Sequence, residues 1–268
     1  MSTPRLSVQL YSVRHALEAD EDAALGRLAA LGLRDVEAFG FVHRAPELAD
    51  ALARHGLSAP TGHAGFLSPE RAPAEGTPTL DETFRAARRL GVEVLFDPFV
   101  PAARWADETE IARTAGLLNE AAKRAADHGL RVGYHNHSQE FVHTVAGVNA
   151  FDRFAELLAP EVALEVDLFW ASAGGYDVVS LLRRLGSRVT ALHVKDGPVI
   201  DDPFTSGAPF DAADTHQVPA GQGEIALDAA LAAAPDAEYA ILEFDHYDGD
   251  IFEGIATGVA YLAGKGIA

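Results

Sequence analysis

The stretch Glu108–Asn136, ETEIARTAGLLNEAAKRAADHGLRVGYHN, contains the structural unit that decides the fold. Its first part, Glu108–His128, has the apolar spacing of an amphipathic helix. Gly129 follows at the position where a left-handed residue commonly ends a helix, and the β-rich run Arg131–Asn136 comes next. The stretch therefore predicts a helix that leads through a glycine turn into a strand.

The same junction recurs along the chain, at Gly32, Gly56, Gly91 and Gly186. Around these glycines, β-rich runs alternate with helical segments. The predicted strands are Leu6–Leu10, Asp35–Phe39, Ser58–Gly62, Val92–Phe96, Arg131–Asn136, Ala163–Asp167, Val189–Val194 and Tyr239–Phe244. The predicted helices are Asp22–Leu31, Pro46–His55, Leu80–Leu90, Glu108–His128, Asn149–Leu158, Asp177–Leu185, Leu227–Ala233 and Phe252–Leu262. The alternation indicates a parallel α/β sheet, and the strand count favours a closed (β/α)8 TIM barrel, a single domain over residues 1–268.

The composition fits a barrel of this size and disfavours several classes of partner. The chain has 268 residues, 48% of them apolar, and carries 21 basic against 40 acidic side chains, a net charge of −19. This negative charge disfavours binding to nucleic acid and to anionic membranes. There is no cysteine, so any metal must be held by oxygen and nitrogen. Because we find neither a signal-like segment nor a membrane-spanning apolar run, we expect a cytoplasmic protein.

Acidic or imidazole side chains follow four apolar runs in the second half of the chain: Glu140, Asp167, His193 and Glu243. In a parallel barrel these strand ends open onto the same mouth, so residues far apart in sequence would converge. Carboxylates and imidazoles at one point are suited to a divalent cation. The sequence therefore predicts a metal site, with Glu140 as the favoured ligand from the fifth strand segment and His135 as its contender.

Several of these residues also have a purely structural interpretation. Asp167 could cap a helix, and Glu243 could pair with an arginine across the barrel. Glu165 could be a buried lower-layer residue held by a basic partner, and Asp245 could accept a hydrogen bond from a ligating imidazole. His193 lies in a run of polar groups, His-Val-Lys-Asp, that packing does not explain, which favours a functional role.

Polar and aromatic residues near other strand ends predict a lining for a polyhydroxylated ligand. Gln9 and Tyr11 flank the end of the first strand, while Glu37 and His63 end the second and third. We take Gln9, Tyr11 and Glu37 as substrate-binding residues. Trp170 offers an apolar face for a sugar ring, although it could equally be an ordinary pocket wall or an oligomer contact.

Two connections in the predicted barrel are long. Ala64–Thr79 contains three prolines, and Lys195–Gly223 contains four prolines and several glycines. Both follow a strand and therefore belong to the face that carries the predicted site. Long loops there commonly shape or close a pocket, although a solvated excursion without a role is the alternative.

Five segments occur together in an order that resembles one known superfamily. They are Gln9–Arg14 (QLYSVR), Tyr134–His137 (YHNH) followed by Glu140-Phe141, His193–Asp196 (HVKD), Gly221–Ile225 (GQGEI) and Glu243–Asp245 (EFD). Over essentially the whole chain they resemble the xylose-isomerase-like barrel superfamily. That sugar phosphate isomerase/epimerase group also contains inosose dehydratase, hydroxypyruvate isomerase and 3-keto-glycoside-processing enzymes.

The resemblance implies a metal shell of Glu, Asp, His and Glu from the ends of strands five to eight. Asp167, His193 and Glu243 match three of these positions. His135 stands where many members have the first glutamate, and Glu140 would either compensate from the following loop or act on substrate. We expect Mn²⁺, with Mg²⁺, Co²⁺ and Zn²⁺ as alternatives. A related endonuclease branch binds DNA with a larger zinc cluster, and the net negative charge speaks against it.

The reaction implied by the resemblance is proton abstraction next to the carbonyl of a sugar or keto-sugar, with a metal-stabilised enediolate. We assign Glu140 and Glu243 as the acid/base pair, and His63, His137 and Lys195 as polarising or proton-shuttling groups. Return of the proton makes the enzyme an isomerase or epimerase. Loss of a β-substituent makes it a lyase, an inosose-type dehydratase or a 3-keto-glycoside deglycosidase. Since no paired Arg or Lys clamp for a phosphate is evident, we expect an unphosphorylated substrate.

A different class of function is also compatible with the sequence. The chain could be a non-catalytic sugar-binding barrel, or one subunit of a hetero-oligomer whose partner completes the site; a homo-oligomer is equally compatible. A pure binder need not retain a divalent ion. A complete enzyme should exchange solvent deuterium into a keto-sugar without added protein.

Overall fold

Eight parallel strands close into a barrel in the computed structural model, which describes residues 3–67 and 77–268. The strands are β1 Arg5–Gln9, β2 Asp35–Ala38, β3 Ser58–His63, β4 Val94–Asp97, β5 Arg131–His135, β6 Ala163–Asp167, β7 Val189–Val194 and β8 Tyr239–Leu242. Each strand pairs with its neighbours in sequence, and β1 pairs with β8 to close the ring. This arrangement confirms the predicted TIM barrel.

Helices connect these strands, and every predicted helix is present within one or two residues of its predicted bounds. The helices are α1 Arg14–Ala19, α2 Glu21–Ala30, α3 Ala45–Arg54, α4 Leu80–Leu90, α5 Glu108–Asp127, α6 Gln139–Val142, α7 Ala150–Leu157, α8 Leu168–Ala173, α9 Val178–Leu185, α10 Leu227–Ala233 and α11 Ile251–Gly264. The sequence did not predict α1, α6, α8 or the antiparallel pair of Thr144–Val145 with Val148–Asn149. Elements this short do not show a helical or strand period.

The glycines at the helix-to-strand junctions adopt the conformation that the sequence predicts. Their φ angles range from 56° at Gly186 to 94° at Gly91, with Gly32, Gly56 and Gly129 between these values. A side chain is disfavoured at positive φ, so a residue without a Cβ is suited to this turn. The repeated junction is therefore confirmed.

The carboxyl ends of the strands bring the predicted site residues to one face of the barrel. Asp167 on β6 is the register partner of His193 on β7, and Glu165 is the partner of His135 on β5. The last strand ends at Leu242, two residues earlier than predicted, so Glu243 lies just beyond it. Part of the long connection Ala64–Thr79, residues 68–76, lies outside the described residues.

The barrel interior below this face is filled by six buried apolar side chains: Val94, Phe96, Ala163, Ala191, Tyr239 and Ile241. Gly133 on β5 packs directly against this cluster. A Cβ at Gly133 would lie 2.4 Å from the Ala163 carbonyl oxygen and 2.7 Å from a ring carbon of Phe96. The absence of a side chain at this position therefore lets β5 and β6 approach. Among the described residues, no helix has both the length and the apolar character needed to cross a membrane.

We predict that Gly133→Ala lowers the free energy of unfolding by about 1–3 kcal/mol, because the added methyl group overpacks the barrel interior. Urea unfolding of the variant and the wild type measures the difference. Gly116→Ala is the matched control: Gly116 is an exposed residue of α5, and its Cβ would meet nothing within 4 Å. That variant should gain about 0.5–1 kcal/mol from helix propensity. Equal effects of the two substitutions would contradict the packing argument.

Candidate metal centre

Four side chains from neighbouring strand ends converge at the floor of the barrel mouth. His135, Asp167, His193 and Glu243 each offer one ligand atom, and these atoms lie within 4.8 Å of one another. The most exposed of the four is Glu243, at 6%. Two ligands on opposite sides of a cation, each about 2.1 Å from it, are about 4.2 Å apart. The group is therefore close to the dimensions that one divalent ion requires.

The two oxygens of the Asp167 carboxylate have different partners. Oδ1 accepts a hydrogen bond of 2.8 Å from the Trp170 backbone N–H and so caps α8. Oδ2 is buried and makes no hydrogen bond among the described residues, although Lys195 Nζ lies 3.1 Å from it. Asn136 fixes the backbone of Asp167, because its amide oxygen accepts from the Asp167 N–H and its amide nitrogen donates to the Asp167 carbonyl. Asp167 can therefore cap a helix and bind a cation at the same time.

Lys195 supplies the positive charge nearest to this group. Its Nζ lies 3.1 Å from Asp167 Oδ2, 2.8 Å from Glu243 Oε2 and 2.8 Å from Asp245 Oδ2. Asp245 also accepts a hydrogen bond from the side chain of Gln217. The charged partners of Glu243 are thus Lys195 and His193 rather than an arginine, and Asp245 contacts Lys195 and Gln217 rather than the expected imidazole.

A second set of polar side chains adjoins the cation group and includes Glu37 from β2 and His63 from β3. Glu165 Oε2 is 2.6 Å from His63 Nε2 and 3.0 Å from His135 Nδ1, so imidazoles are the basic partners of this buried carboxylate. Glu37 Oε1 lies 3.0 Å from His63 Nε2 and 2.7 Å from His193 Nε2. His63, His135, Glu165 and His193 also have ligand atoms within 4.8 Å of one another.

Glu140, the ligand favoured by the sequence, lies outside both groups. Its Oε1 accepts a hydrogen bond of 2.6 Å from the Tyr134 hydroxyl, and its Oε2 accepts one of 3.1 Å from the His137 backbone N–H. The short helix α6 begins at Gln139 and directs the Glu140 side chain away from the cation group. The structure thus places His135, not Glu140, in the fourth position.

A cavity of about 570 Å³ opens above the group. The predicted site residues in its wall are Gln9, Tyr11, His63, His135, His137, Trp170, Lys195 and Glu243, and Asp245 joins them. Glu37 and Glu140 are fully buried and do not form part of this wall. Neither the Glu37 side chain, predicted to bind substrate, nor the Glu140 side chain, predicted to be catalytic, therefore faces the cavity directly.

The long connection Lys195–Gly223 shapes one side of this cavity, as predicted. It contributes Phe204 and Phe210, whose ring centroids are 4.9 Å apart, and Phe204 packs 5.2 Å from the Trp170 ring.

The two ends of the same connection are held together by Asp196. Its carboxylate accepts hydrogen bonds from the backbone N–H groups of Gly197, Gly221, Gly223 and Ile225. This role was not predicted, although Asp196 and Gly221–Gly223 both lie in segments that resemble the superfamily. A buried aspartate before a loop and paired glycines at its end are the signal that could have revealed it.

Charges within the site keep two cavity groups ionised. Burial lowers the pKa of the Lys195 ammonium, but Asp167, Asp245 and Glu243 together raise that pKa well above its ordinary value. Burial would raise the pKa of Glu243, yet Lys195 and His193 lower it below the ordinary range. At neutral pH the cavity floor therefore presents an ammonium beside a carboxylate. Asp167, in contrast, has a pKa raised to about 6 by burial.

The imidazoles differ in charge because their neighbours differ. Burial opposes protonation of His63, but Glu37 and Glu165 raise its pKa to about 10. Burial and the positive charge of Lys195 lower the pKa of His137 to about 3. The cavity wall thus contains a protonated His63 and a neutral His137.

Residues 25–263 match the family model described as xylose isomerase-like TIM barrel, so the chain belongs to that family. It is 38% identical over 80 residues to an inosose dehydratase of Geobacillus kaustophilus (strain HTA426); the aligned stretch is 30% of this chain and 25% of that enzyme.

Solved structures share the fold over nearly the whole chain. A sugar phosphate isomerase/epimerase from Parabacteroides distasonis superposes with a TM-score of 0.75 at 21% identity, over 98% of this chain and 96% of that chain. The IolI protein with a bound zinc atom superposes with a TM-score of 0.68 at 18% identity, over 97% of each chain. At these identities the likeness shows the common barrel.

We predict that Lys195→Met destabilises the metal-free protein by about 3–5 kcal/mol, because the buried carboxylates lose their permanent cation. Added Mn²⁺ should restore much of this loss, since a ligand that binds the folded state stabilises it. Thermal unfolding in EDTA and across a Mn²⁺ titration measures both effects. Lys265→Met, which removes the exposed partner of Asp228, is the control and should change stability little. An unaltered melting temperature in Lys195→Met would contradict the charge balance.

We predict that Glu140→Gln removes a pH dependence of stability between pH 5 and 8. Burial raises the pKa of Glu140 from its ordinary 4.5 to about 8 in the folded chain. A raised pKa means that the contribution of Glu140 to stability is fully present below pH 4.5 and is lost as the pH rises to about 8. The wild type should therefore lose a few kcal/mol relative to the variant across this window, at about 1.4 kcal/mol for each pKa unit. Urea unfolding at several pH values tests it, and parallel curves for the two proteins would refute it.

Proposed function

We propose that this protein is a divalent-metal-dependent enzyme that transfers a proton next to the carbonyl of an unphosphorylated keto-sugar, as an isomerase or epimerase. The observation that carries the proposal is the convergence of His135, Asp167, His193 and Glu243 at the floor of the cavity. Membership of the xylose isomerase-like family supports it. The aromatic rings of Tyr11 and Trp170 in the cavity wall are suited to the apolar faces of a sugar ring.

The donor atoms fit a divalent cation. Asp167 Oδ2 is buried and makes no hydrogen bond among the described residues, Lys195 being its charged neighbour, and the group combines two imidazole nitrogens with two carboxylate oxygens. Mn²⁺, Co²⁺ and Zn²⁺ accept such a mixed set, whereas Mg²⁺ prefers oxygen alone. We expect Mn²⁺, and the zinc in the related IolI structure makes Zn²⁺ the first alternative. When bound, the cation would supply Lewis-acid polarisation of a carbonyl oxygen.

The side chains of the cavity supply the proton chemistry. Glu243 is ionised and faces the cavity, so it can accept a proton from the carbon next to the carbonyl. Lys195 and His63 are protonated and can donate hydrogen bonds to the oxygens of the substrate, where negative charge develops. His137 is neutral and can accept or relay a hydrogen bond. Glu140 lies behind the wall and would act only through Tyr134 and the His137 backbone.

A lyase is the second candidate, favoured by the partial match to an inosose dehydratase. The first proton transfer would be the same. Loss of a hydroxyl group from the next carbon would then require a proton, which His63 or Lys195 could donate. The products distinguish a lyase from an isomerase or epimerase, since a dehydratase releases water and forms an unsaturated ketone.

We expect the Mn²⁺-loaded chain, without added protein, to exchange solvent deuterium into at least one substrate from a panel of ketoses, keto-inositols and 3-keto-glycosides. Mass spectrometry of the recovered substrate measures the exchange. Glu243→Gln should reduce it about 10²–10⁴-fold, because the variant lacks the proton acceptor.

Glu238→Gln is the matched control for this substitution. Glu238 pairs with Arg131 at the opposite end of the barrel, so its loss should leave exchange unchanged. Exchange that persists in EDTA, or wild-type exchange in Glu243→Gln, would contradict the proposed function. A chain that exchanges deuterium only after addition of a second protein would instead indicate a partner-dependent subunit.

A further inference from the structure

The imidazole of His193 is held between an outer and an inner carboxylate. Its Nδ1 lies 2.7 Å from Glu243 Oε2, on the side of the cation group. Its Nε2 lies 2.7 Å from Glu37 Oε1 and 3.3 Å from Glu165 Oε2, away from the cation group. The ring therefore has one nitrogen directed at the cation group and the other at a carboxylate that does not belong to it.

His135 has the same arrangement with the two nitrogens exchanged. Its Nε2 lies 3.9 Å from Asp167 Oδ2, and its Nδ1 lies 3.0 Å from Glu165 Oε2. The inner carboxylate of this ring is thus Glu165. The two rings come from β5 and β7, on either side of β6, and present opposite nitrogens to the group.

The contacts of Gln9 show that Glu37 is the acceptor in the hydrogen bond between these two side chains. The Tyr11 backbone N–H donates to Gln9 Oε1 at 3.2 Å, so the amide nitrogen of Gln9 is left to donate to Glu37 Oε1 at 2.7 Å. An ionised carboxylate only accepts hydrogen bonds, and Glu37 Oε1 accepts from Gln9 and lies 3.0 Å from His63 Nε2. The proton in the contact between Glu37 and His193 therefore lies on His193 Nε2.

We propose that Glu37 and Glu165 are positioning residues that hold the two ligating imidazoles in opposite tautomers. Glu165 keeps the proton of His135 on Nδ1, and Glu37 keeps the proton of His193 on Nε2. When the cation binds, His193 loses the Nδ1 proton that faces Glu243 in the metal-free protein, and His135 Nε2 and His193 Nδ1 are the nitrogens that bind the cation. The inference rests on the proposed function, because it concerns the same cation, and it gives Glu37 a role other than the predicted substrate contact.

The neighbouring group of His63, His135, Glu165 and His193 does not form a second cation site in this arrangement. It would use His135 and His193 through the nitrogens that face inward. A neutral imidazole has a single nitrogen with a free lone pair, so a ring that binds the outer cation cannot also bind an inner one. One cation per chain is therefore expected.

The test uses the full chain loaded with Zn²⁺ and labelled with ¹⁵N. Long-range ¹H–¹⁵N correlation spectra of the imidazoles, with His135→Gln and His193→Gln spectra for assignment, should show zinc on Nε2 of His135 and on Nδ1 of His193. Glu37→Gln and Glu165→Gln should each weaken Zn²⁺ binding about 10–100-fold in competition with a chelator, the range expected for removal of a carboxylate behind a ligating imidazole.

Asp97→Asn is the matched control, because Asp97 is also a fully buried carboxylate near the barrel mouth. Its oxygens accept hydrogen bonds from the backbone N–H groups of Phe66, Leu67 and Phe99. The variant should retain wild-type Zn²⁺ affinity even if its melting temperature falls.

The results of these measurements distinguish failure of the tautomer inference from failure of the proposed function. One bound zinc with both rings metallated at the same type of nitrogen would overturn the inference and leave the proposed function standing. Unchanged Zn²⁺ affinity in both glutamine variants, or two zinc ions per chain, would do the same. A wild-type chain that binds no zinc would overturn the inference together with the metal dependence of the proposed function.

Discussion

The barrel mouth depends on the burial of several carboxylates around a small number of positive charges. Glu37, Glu165 and Asp167 are each at most 1% exposed, and Glu243 is 6% exposed. Buried carboxylates without positive partners are strongly destabilising, so their charge must be balanced locally. Lys195 and the protonated imidazoles provide that balance in the protein alone. The same requirement makes this part of the barrel receptive to a divalent cation.

The closed barrel is what allows this concentration of charge. Strands β5 to β8 lie side by side, and each carries one member of the cation group at or next to its carboxyl end. Apolar side chains fill the barrel below, and an aromatic wall from Trp170, Phe204 and Phe210 borders the cavity above. A polar floor beneath an aromatic wall matches a sugar, whose hydroxyl groups and apolar ring faces need different surroundings. Membership of the family accounts for the barrel fold, whereas the proposed chemistry depends on the residues at the cavity floor.

The fold could be predicted from the sequence because its signals are local. Five glycine junctions and the alternation of helical and β-rich runs are each contained in a few residues. The roles of the side chains inside the barrel are not encoded locally. The alternation along a strand directs both Glu165 and Asp167 inward. It does not show which of them binds a cation and which contacts a ligating imidazole. The position of Glu140 depends on α6, a helix of four residues that has no detectable period. The anchoring role of Asp196 depends on amides as far as 29 residues along the chain.

Anomalous X-ray diffraction from crystals soaked in Mn²⁺ or Zn²⁺ tests the central claim most directly. The account predicts one anomalous peak per chain, about 2.0–2.3 Å from His135 Nε2, Asp167 Oδ2, His193 Nδ1 and a Glu243 oxygen. A peak centred among His63, Glu165 and the inward nitrogens would contradict it. So would the absence of any peak within the group at saturating metal.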